Sequence, residues 1–578
     1  MTTVQRGAAA PQQLSAEDFD ERALSEVVAK VAASKDAWAQ LPLAKRRSLL
    51  EATITATVNE APAWLHSACK AKGLEEGTTE SGEELFSGIG TLVTMAKALV
   101  IALKDLETKG RPIFPGPVET ALDGRTKIGV FPRTNLERAL FAKTTAEVWM
   151  EPGLDRRAIQ AAQAPAYKDP EGHKGLSLVL GAGNVAALGP RDVLSKLFVE
   201  GKVVVLKANP VNDYLVSHWT RAMSPLIDAG FLAIVRGGAQ VGAYLCDHPL
   251  VEDIHVTGSD KTYDAIVYGV GPEGAARKAA DTPLRTKPVS AELGSVSPVI
   301  VVPGKWSDKE LRYQAEHVAT MLTNNAGFNC LTPRVIITHA SWPQREAFMV
   351  EIESVLATIP TRKAYYPGAE DRFQAFVEAH PDADLIGGTA NGALPWTVVR
   401  GVDAKSTDDI CLNVEAFCSL TSECALDADS TAAFVAEAVS FANDVVWGSL
   451  SATVLCHPDQ LADPLVGPAV EKAIADLKYG GIGFNLFHGL VFALSTTSWG
   501  AYPGHARNDI QSGCGVVGNA YMLEGIQKSV VRGPWMQKPK PVWFATQKNS
   551  SKVMAKLLNY QANPSFKSML AVLGAAIR

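Results

Sequence analysis

Leu176-Ser-Leu-Val-Leu-Gly-Ala-Gly-Asn184 opens a stretch in which short aliphatic runs alternate with helix-compatible segments. Asp192–Glu200 is followed by Lys202-Val-Val-Val-Leu-Lys207. Tyr214–Ala229 is followed by Leu232-Ala-Ile-Val235, and Gln240–Cys246 by Asp253-Ile-His-Val-Thr-Gly258. The runs are apolar throughout rather than alternating, as expected of strands covered on both faces. Strand, crossover helix, strand, repeated, predicts an α/β fold built on a parallel sheet.

Working outward, residues 1 to about 110 read as helical. A cap at Ser15 is followed by apolar positions at helical spacing through Leu24, Val27, Val28 and Val31. A second α/β segment spans about 290 to 500. It holds Pro298-Val-Ile-Val-Val-Pro303, the helix Asp308–Asn324, Arg334-Val-Ile-Ile-Thr338 and Ala452-Thr-Val-Leu-Cys456. At 578 residues the chain exceeds what one core normally supports, so two or three packed domains are expected.

The net charge of −6 argues against a nucleic-acid binder, which needs a basic surface to replace counterions on phosphate. Eight cysteines are scattered without metal-ligand spacing, which predicts free thiols, a reducing compartment and no metal site. The opening residues lack the apolar core of a secretory signal. The longest apolar stretch, around Leu85–Leu103, is interrupted by Lys97 and reads as too short to span a membrane. A soluble, cytoplasmic protein is expected. After Glu524 there are nine basic residues and no acidic one, a formal +9 that leaves −15 for the remainder. A basic tail on an acidic body suits subunit packing first. An anionic membrane or partner, or a solvated face, are the alternatives.

Four clusters carry candidate chemistry. Asn184 sits at the carboxyl end of a strand, where ligands bind in parallel sheets, although Gly-Asn pairs also make plain turns. Lys207 ends a buried strand, where a phosphate or ribose would offset its burial as well as solvent would. Gly258-Ser259 lies between a strand and a helix start, where small residues let phosphate approach backbone N–H groups. Cys330, in the polar loop Asn325-Ala-Gly-Phe-Asn-Cys330, lies downstream of Glu292-Leu-Gly. That pair suits a nucleophile and its general base, where a lone cysteine would be a small buried hydrophobe.

Taken together these strings resemble the aldehyde dehydrogenase superfamily. Glu292-Leu-Gly-Ser-Val-Ser-Pro298 resembles its glutamate motif ELGGKSP, and Asn325–Cys330 its cysteine motif NxGQxC. Val256-Thr-Gly-Ser259 resembles FTGS, Val203–Lys207 the VVxK strand, and Glu415-Ala-Phe417 the later E-x-F motif. The resemblance covers roughly residues 20 to 500. It implies a Rossmann-like cofactor domain, an α/β catalytic domain and a small oligomerisation arm. On this chain those fall at 1–290 with a hairpin near 146–175, at 291–500 carrying Cys330, and at 501–578, an oligomerisation strand with the basic extension.

By that resemblance Cys330 attacks an aldehyde, Asn184 stabilises the oxyanion and Glu292 activates the hydrolytic water. Lys207, Gly258, Ser259, Glu415 and Phe417 would hold NAD or NADP, and the subunits would form a homodimer or homotetramer. The sequence departs from the pattern at Ala182-Gly183 before the oxyanion Asn, at Phe328 in the Gln position, and in ELGSVSP. Longer intervals around the motifs suggest loop insertions such as Gly269–Arg277. Pro210 stands where NAD-preferring members carry a ribose-binding Glu, so either dinucleotide fits the reading. A coenzyme A-acylating dehydrogenase and a catalytically silent scaffold are the competing functions, and Glu292 counts against the first. The apolar segment Gly481–Phe492, together with Phe328, points to an apolar aromatic or aliphatic aldehyde, unless the segment is simply core.

Overall fold

A computed structural model describes residues 20–141 and 143–576. Two sheets organise them. The first has six strands, in the order 513–514, 289–292, 253–257, 176–180, 203–207 and 232–235. All are parallel except the two-residue strand at the edge. The chain starts at the centre with Leu176–Leu180, winds outward through Val203–Lys207 to Leu232–Val235, then crosses back to Asp253–Thr257 on the other side. That reversal between 176–180 and 253–257 is a topological switch point, and it opens a crevice at the carboxyl ends of the strands. Val203–Lys207 and Asp253–Thr257 are buried along their whole length, as their uninterrupted composition predicts.

The second sheet has eleven strands. From Ile526–Arg532 through 481–484, 451–455, 297–301, 333–339 and 420–426 to Trp396–Val399 neighbouring strands are parallel. Antiparallel strands continue it at both ends. The helix Leu188–Phe198 follows the first strand of the smaller sheet and is buried at every position. Its Ser195 hydroxyl accepts from Gly518 N at 3.2 Å, tying it to the segment that returns from the larger sheet.

Several expectations meet a different arrangement. Residues 146–175 do not pair as a hairpin. Thr145–Met150 is a strand, but its antiparallel neighbours are Thr126–Phe131 and Ile526–Arg532. The residues after it form short helices at 156–162, 165–168 and 170–173, where Asp155 caps a helix and Pro165 and Pro170 begin the next two. Strands 118–150 therefore extend the second sheet rather than the one the cofactor reading groups them with. Ile526–Arg532, expected as an assembly strand, has both edges paired within its own chain. Most of Gly269–Arg277, expected as a loop insertion, lies in the helix Gly271–Ala279, started by Pro272 and acidic Glu273.

The expected Ser15 cap lies outside the described residues. The first described helix, Glu21–Ala32, is capped instead by the Asp20 carboxylate, which accepts from Arg22 N and Ala23 N. The continuous helix Thr79–Lys109, which includes the π-helical turn Leu85–Gly90, is long and apolar enough to cross a membrane. This overturns the reading of that stretch as too short. It is mostly buried against the rest of the chain, the behaviour of a core helix.

Nor is the region after Glu524 a free basic tail. Lys528 is buried and donates to the carbonyls of Ile474, Ala475 and Leu477 at 2.6–3.0 Å, and Arg532 pairs with Glu147 and Glu471.

Candidate active site

Glu292 ends the strand Val289–Glu292 beside Thr257, so its side chain is delivered to the mouth of the crevice. Cys330 arrives from the other sheet, on the loop between the helix Asp308–Thr323 and the strand Pro333–His339. The two meet: Cys330 Sγ donates to Glu292 Oε1 at 3.3 Å. Glu292 is 3% exposed and its Oε2 makes no hydrogen bond. Burial raises its carboxyl above the ordinary range. Trp499, close but outside hydrogen-bonding geometry, the Cys330 thiol and the Arg191 charge oppose the rise. Burial also pushes the Cys330 thiol well up, and the charges of Glu292 and Glu415 add to the effect. Burial thus works against ionisation of both groups, and the thiol keeps its contact with the carboxyl oxygen that can take its proton.

The cysteine loop has an uncommon backbone. Asn325, Ala326 and Gly327 follow one another at φ 51°, 56° and 78°, three left-handed residues in a row. A Cβ on Gly327 would drive into the Cys418 carbonyl, so glycine is required there. Arg334, fully buried, donates to the carbonyls of Gly327, Cys418 and Leu420 and pins the turn.

The N-terminal helices complete the support. Asn325 N donates to Glu83 Oε1 at 2.7 Å. Lys72 Nζ donates to Glu84 Oε2 (2.6 Å), Asn325 Oδ1 (3.1 Å) and the Asn184 carbonyl (3.2 Å). The Tyr365 hydroxyl donates to the same Asn184 carbonyl and Asn325 Oδ1. Asn184 Nδ2 in turn donates to the Phe328 carbonyl at 2.9 Å. Asn184 and the nucleophile loop are thus one hydrogen-bonded unit.

A cleft of about 1080 Å³ runs along the carboxyl ends of the smaller sheet. All eight residues singled out from the sequence line it: Asn184, Lys207, Gly258, Ser259, Glu292, Cys330, Glu415 and Phe417. Lys207 is buried and has no ion pair or hydrogen bond among the described residues, and its burial lowers its pKa. Ser259 caps the helix Asp260–Val267, accepting from Thr262 N, so the positive end of that helix faces the cleft. A Cβ on Gly258 would meet nothing in the protein closer than 3.8 Å, so the chain itself does not demand glycine there. The Glu415 carboxylate lies against Gly294, where any side chain would collide with it, and its Oε1 is buried without a partner. Burial lifts the Glu415 carboxyl to about 7.

The profile of the Aldehyde dehydrogenase family matches residues 175–365, the span from the first strand of the cleft through Cys330 to Tyr365. That match covers a third of the chain, the part that holds most of the cleft and the cysteine loop. Over 161 residues it is 27% identical to aldehyde dehydrogenase LUC3 of Fusarium sp, a match spanning 27% of this chain and 32% of that relative. Over 386 residues it is 24% identical to 1-pyrroline-5-carboxylate dehydrogenase 2 of Bacillus subtilis (strain 168), which covers 60% and 69% of the two chains.

Among solved structures it resembles a mutant of the P. syringae indole-3-acetaldehyde dehydrogenase AldA in complex with NAD+ and IAA. The TM-score is 0.60, with 17% identity and 89% of each chain covered. It also resembles the NADP-dependent glyceraldehyde-3-phosphate dehydrogenase of Bacillus halodurans C-125 complexed with NADP. There the TM-score is 0.58, with 16% identity over 89% and 91% of the chains. These structural likenesses establish the fold.

Two sequence readings change. Phe328 is 1% exposed and packs on Tyr365, Tyr366 and Phe417, so it braces the cysteine loop and presents no face to a substrate. The segment Gly481–Phe492 divides: Gly481–Phe484 is a core strand, whereas Phe487, Leu490 and Phe492 line a second cavity. Residues that the motifs did not flag also matter. Arg372 donates to the carbonyls of Ala416 and Phe417, holding Phe417 at φ 42°. Lys72, Glu83 and Tyr365 act on the cysteine loop from far away in sequence, with no local motif to announce them.

Proposed function

We propose that the chain oxidises an aldehyde to the carboxylic acid, with NAD or NADP as hydride acceptor. The observation that carries the reading is the 3.3 Å contact between Cys330 Sγ and Glu292 Oε1, made where the cleft meets the loop that holds Asn184. The cleft suits a dinucleotide. Gly258 leaves room for close backbone approach, Ser259 heads a helix whose N-terminus favours a pyrophosphate, and Lys207 awaits an anion. The buried, unpaired Glu415 Oε1 is an acceptor for a ribose hydroxyl, with Phe417 beside it.

Cys330 transfers its proton to Glu292 as sulfur attacks the aldehyde carbon, breaking the carbonyl π bond and forming a thiohemiacetal. The Asn184 amide and the Cys330 backbone N–H stabilise the oxyanion, the class of interaction that contributes most to such reactions. A dinucleotide held by Lys207, Gly258, Ser259 and Glu415 would supply the hydride acceptor, and loss of hydride from that carbon would leave a thioester on Cys330. Glu292, after giving up that first proton to solvent, removes a proton from water, which attacks the thioester and releases the acid; the proton on Glu292 then returns to the Cys330 sulfur. One aldehyde, one oxidised dinucleotide and one water give one acid, one reduced dinucleotide and one proton.

The retained Glu292, buried with one oxygen free, favours water over coenzyme A as the acyl acceptor. The test is reduction of NAD or NADP by the purified protein with a panel of aldehydes, with and without coenzyme A. Coenzyme A-independent reduction is expected. Reduction that needs coenzyme A would replace this reading with the acylating one.

A further inference from the structure

The helix Ala369–Ala379 ends on His380, and Asp409 and Cys411 stand at the turn that opens the segment leading to Glu415. The two places meet, with His380 Nε2 at 3.1 Å from Asp409 Oδ1. Asp409 Oδ1 also accepts from Cys411 N at 2.8 Å, which holds the carboxylate in place. One donor atom from each of His380, Asp409 and Cys411 lies within 4.8 Å of the other two. Among the described residues no other trio of histidine, cysteine and carboxylate donors gathers in this way.

A hydrogen-bonded turn and a small buried thiol would account for each residue singly. They leave the charge unexplained. Among the described residues Asp409 forms no ion pair with a lysine or arginine, and His380 is its basic partner. The donors are an imidazole nitrogen, a carboxylate oxygen and a sulfur, the set that suits zinc rather than the all-oxygen shells of calcium or magnesium. Tetrahedral zinc, with bonds of about 2.0 Å to nitrogen and oxygen and about 2.3 Å to sulfur, sets its donors roughly 3.3–3.6 Å apart. Small side-chain rotations bring this trio to that spacing. Cys411 is 1% exposed, whereas the His380 side chain is 23% exposed, so the junction opens to solvent on the histidine side.

We propose that His380, Asp409 and Cys411 are the protein ligands of a zinc-class divalent cation, with water in the fourth position. Coordination by sulfur displaces the Cys411 proton to solvent. The spacing of the cysteines could not announce such a site, because His380 and Asp409 are 29 residues apart and come from separate elements. Both elements continue into the cleft. Arg372, on the helix that ends at His380, donates to the carbonyls of Ala416 and Phe417, and Asn413 and Glu415 line the cleft wall. A cation at the junction therefore ties together the two elements that hold Glu415 and Phe417. The assignment does not depend on the aldehyde-oxidising reading.

The test uses the full-length Cys330→Ala protein, in which the Cys330–Glu292 pair cannot compete for metal. It is freed of metal by chelation and titrated with cobalt(II). One equivalent is expected to bind, with a thiolate-to-cobalt charge-transfer band and the intense visible bands of tetrahedral cobalt, and zinc is expected to displace it. Cys411→Ser should remove the charge-transfer band. His380→Gln, a change at a partly exposed ring, should melt as its parent does without metal and bind cobalt at least tenfold more weakly. Zinc should raise the melting temperature of the parent, and His380→Gln should lose that rise. No charge-transfer band at saturating cobalt would overturn the proposal, as would a band of undiminished affinity in His380→Gln.

Discussion

Glu292 and Cys330 are held in mutual contact by burial as much as by their hydrogen bond, and burial works against ionisation of both. Glu292 accepts a proton first from Cys330 and then from water, so Glu292→Gln is expected to slow acylation, where solvent must take the thiol proton instead, and to stop hydrolysis. Rapid mixing should show one equivalent of reduced dinucleotide per site, followed by turnover lowered roughly 10²–10⁴-fold. A variant that turns over at the wild-type rate would remove Glu292 from that role.

Glu415 gives a pH prediction. Its carboxyl is lifted from 4.5 to about 7, so the folded state holds this proton more tightly than the unfolded chain. That contribution to stability is fully present below about 4.5 and is lost as pH rises through about 7. Glu415→Gln, which does not titrate, should therefore gain more thermal stability over wild type at pH 8 than at pH 5. A gain independent of pH would contradict the assignment. Lys72 touches no reacting atom, yet it ties Asn184 to Asn325. Lys72→Met should lower kcat more than it raises KM, with partial rescue in Lys72→Arg, whereas a merely structural lysine would lower the melting temperature alone.

At the scale of the element, the cysteine loop is the most demanding piece of backbone in the site. Gly327→Ala adds a side chain at φ 78° and aims it at the Cys418 carbonyl, so a loss of about 3 kcal/mol is expected in denaturant unfolding. The strands bearing Asn184, Lys207 and Gly258 were legible because uninterrupted aliphatic runs have few alternatives to a buried parallel sheet. The eight motif residues converge on one cleft for the same reason, since each sits at or just beyond the carboxyl end of a strand or on a tight loop.

Other elements were not legible. Thr145–Met150 was assigned a local hairpin partner, but its neighbours are 126–131 and 526–532, and long-range pairing leaves no trace in local periodicity. The long interval between Ser259 and Glu292 suggests a loop insertion at Gly269–Arg277, but an interval length does not tell loop from helix, and Pro272 near its start favours the helix found at Gly271–Ala279. Lys528, counted with a basic tail suited first to subunit packing, instead donates to three carbonyls at the end of the helix Val466–Asp476 inside its own chain, a role that charge counting does not reveal.

For the molecule as a whole, the site is a junction of distant parts. The smaller sheet supplies the cleft and Glu292, the larger sheet supplies Cys330, the helices at 43–84 brace Asn184 and Asn325, and the C-terminal segment closes the second cavity. A dinucleotide bound in the cleft should therefore stabilise the fold globally, by about 2.7 kcal/mol at one hundred times its Kd. Lys207→Ala should reduce that shift for whichever of NAD and NADP binds better, as thermal melts with each would show.

Covalent aldehyde oxidation on Cys330 can be read by mass spectrometry of the Glu292→Gln protein after incubation with an aldehyde panel and NAD or NADP. The account predicts an acyl mass increment on the peptide carrying Cys330, formed only when both aldehyde and oxidised dinucleotide are present. An unmodified Cys330 in a preparation that still reduces the dinucleotide, or an acyl group on another residue, would contradict it.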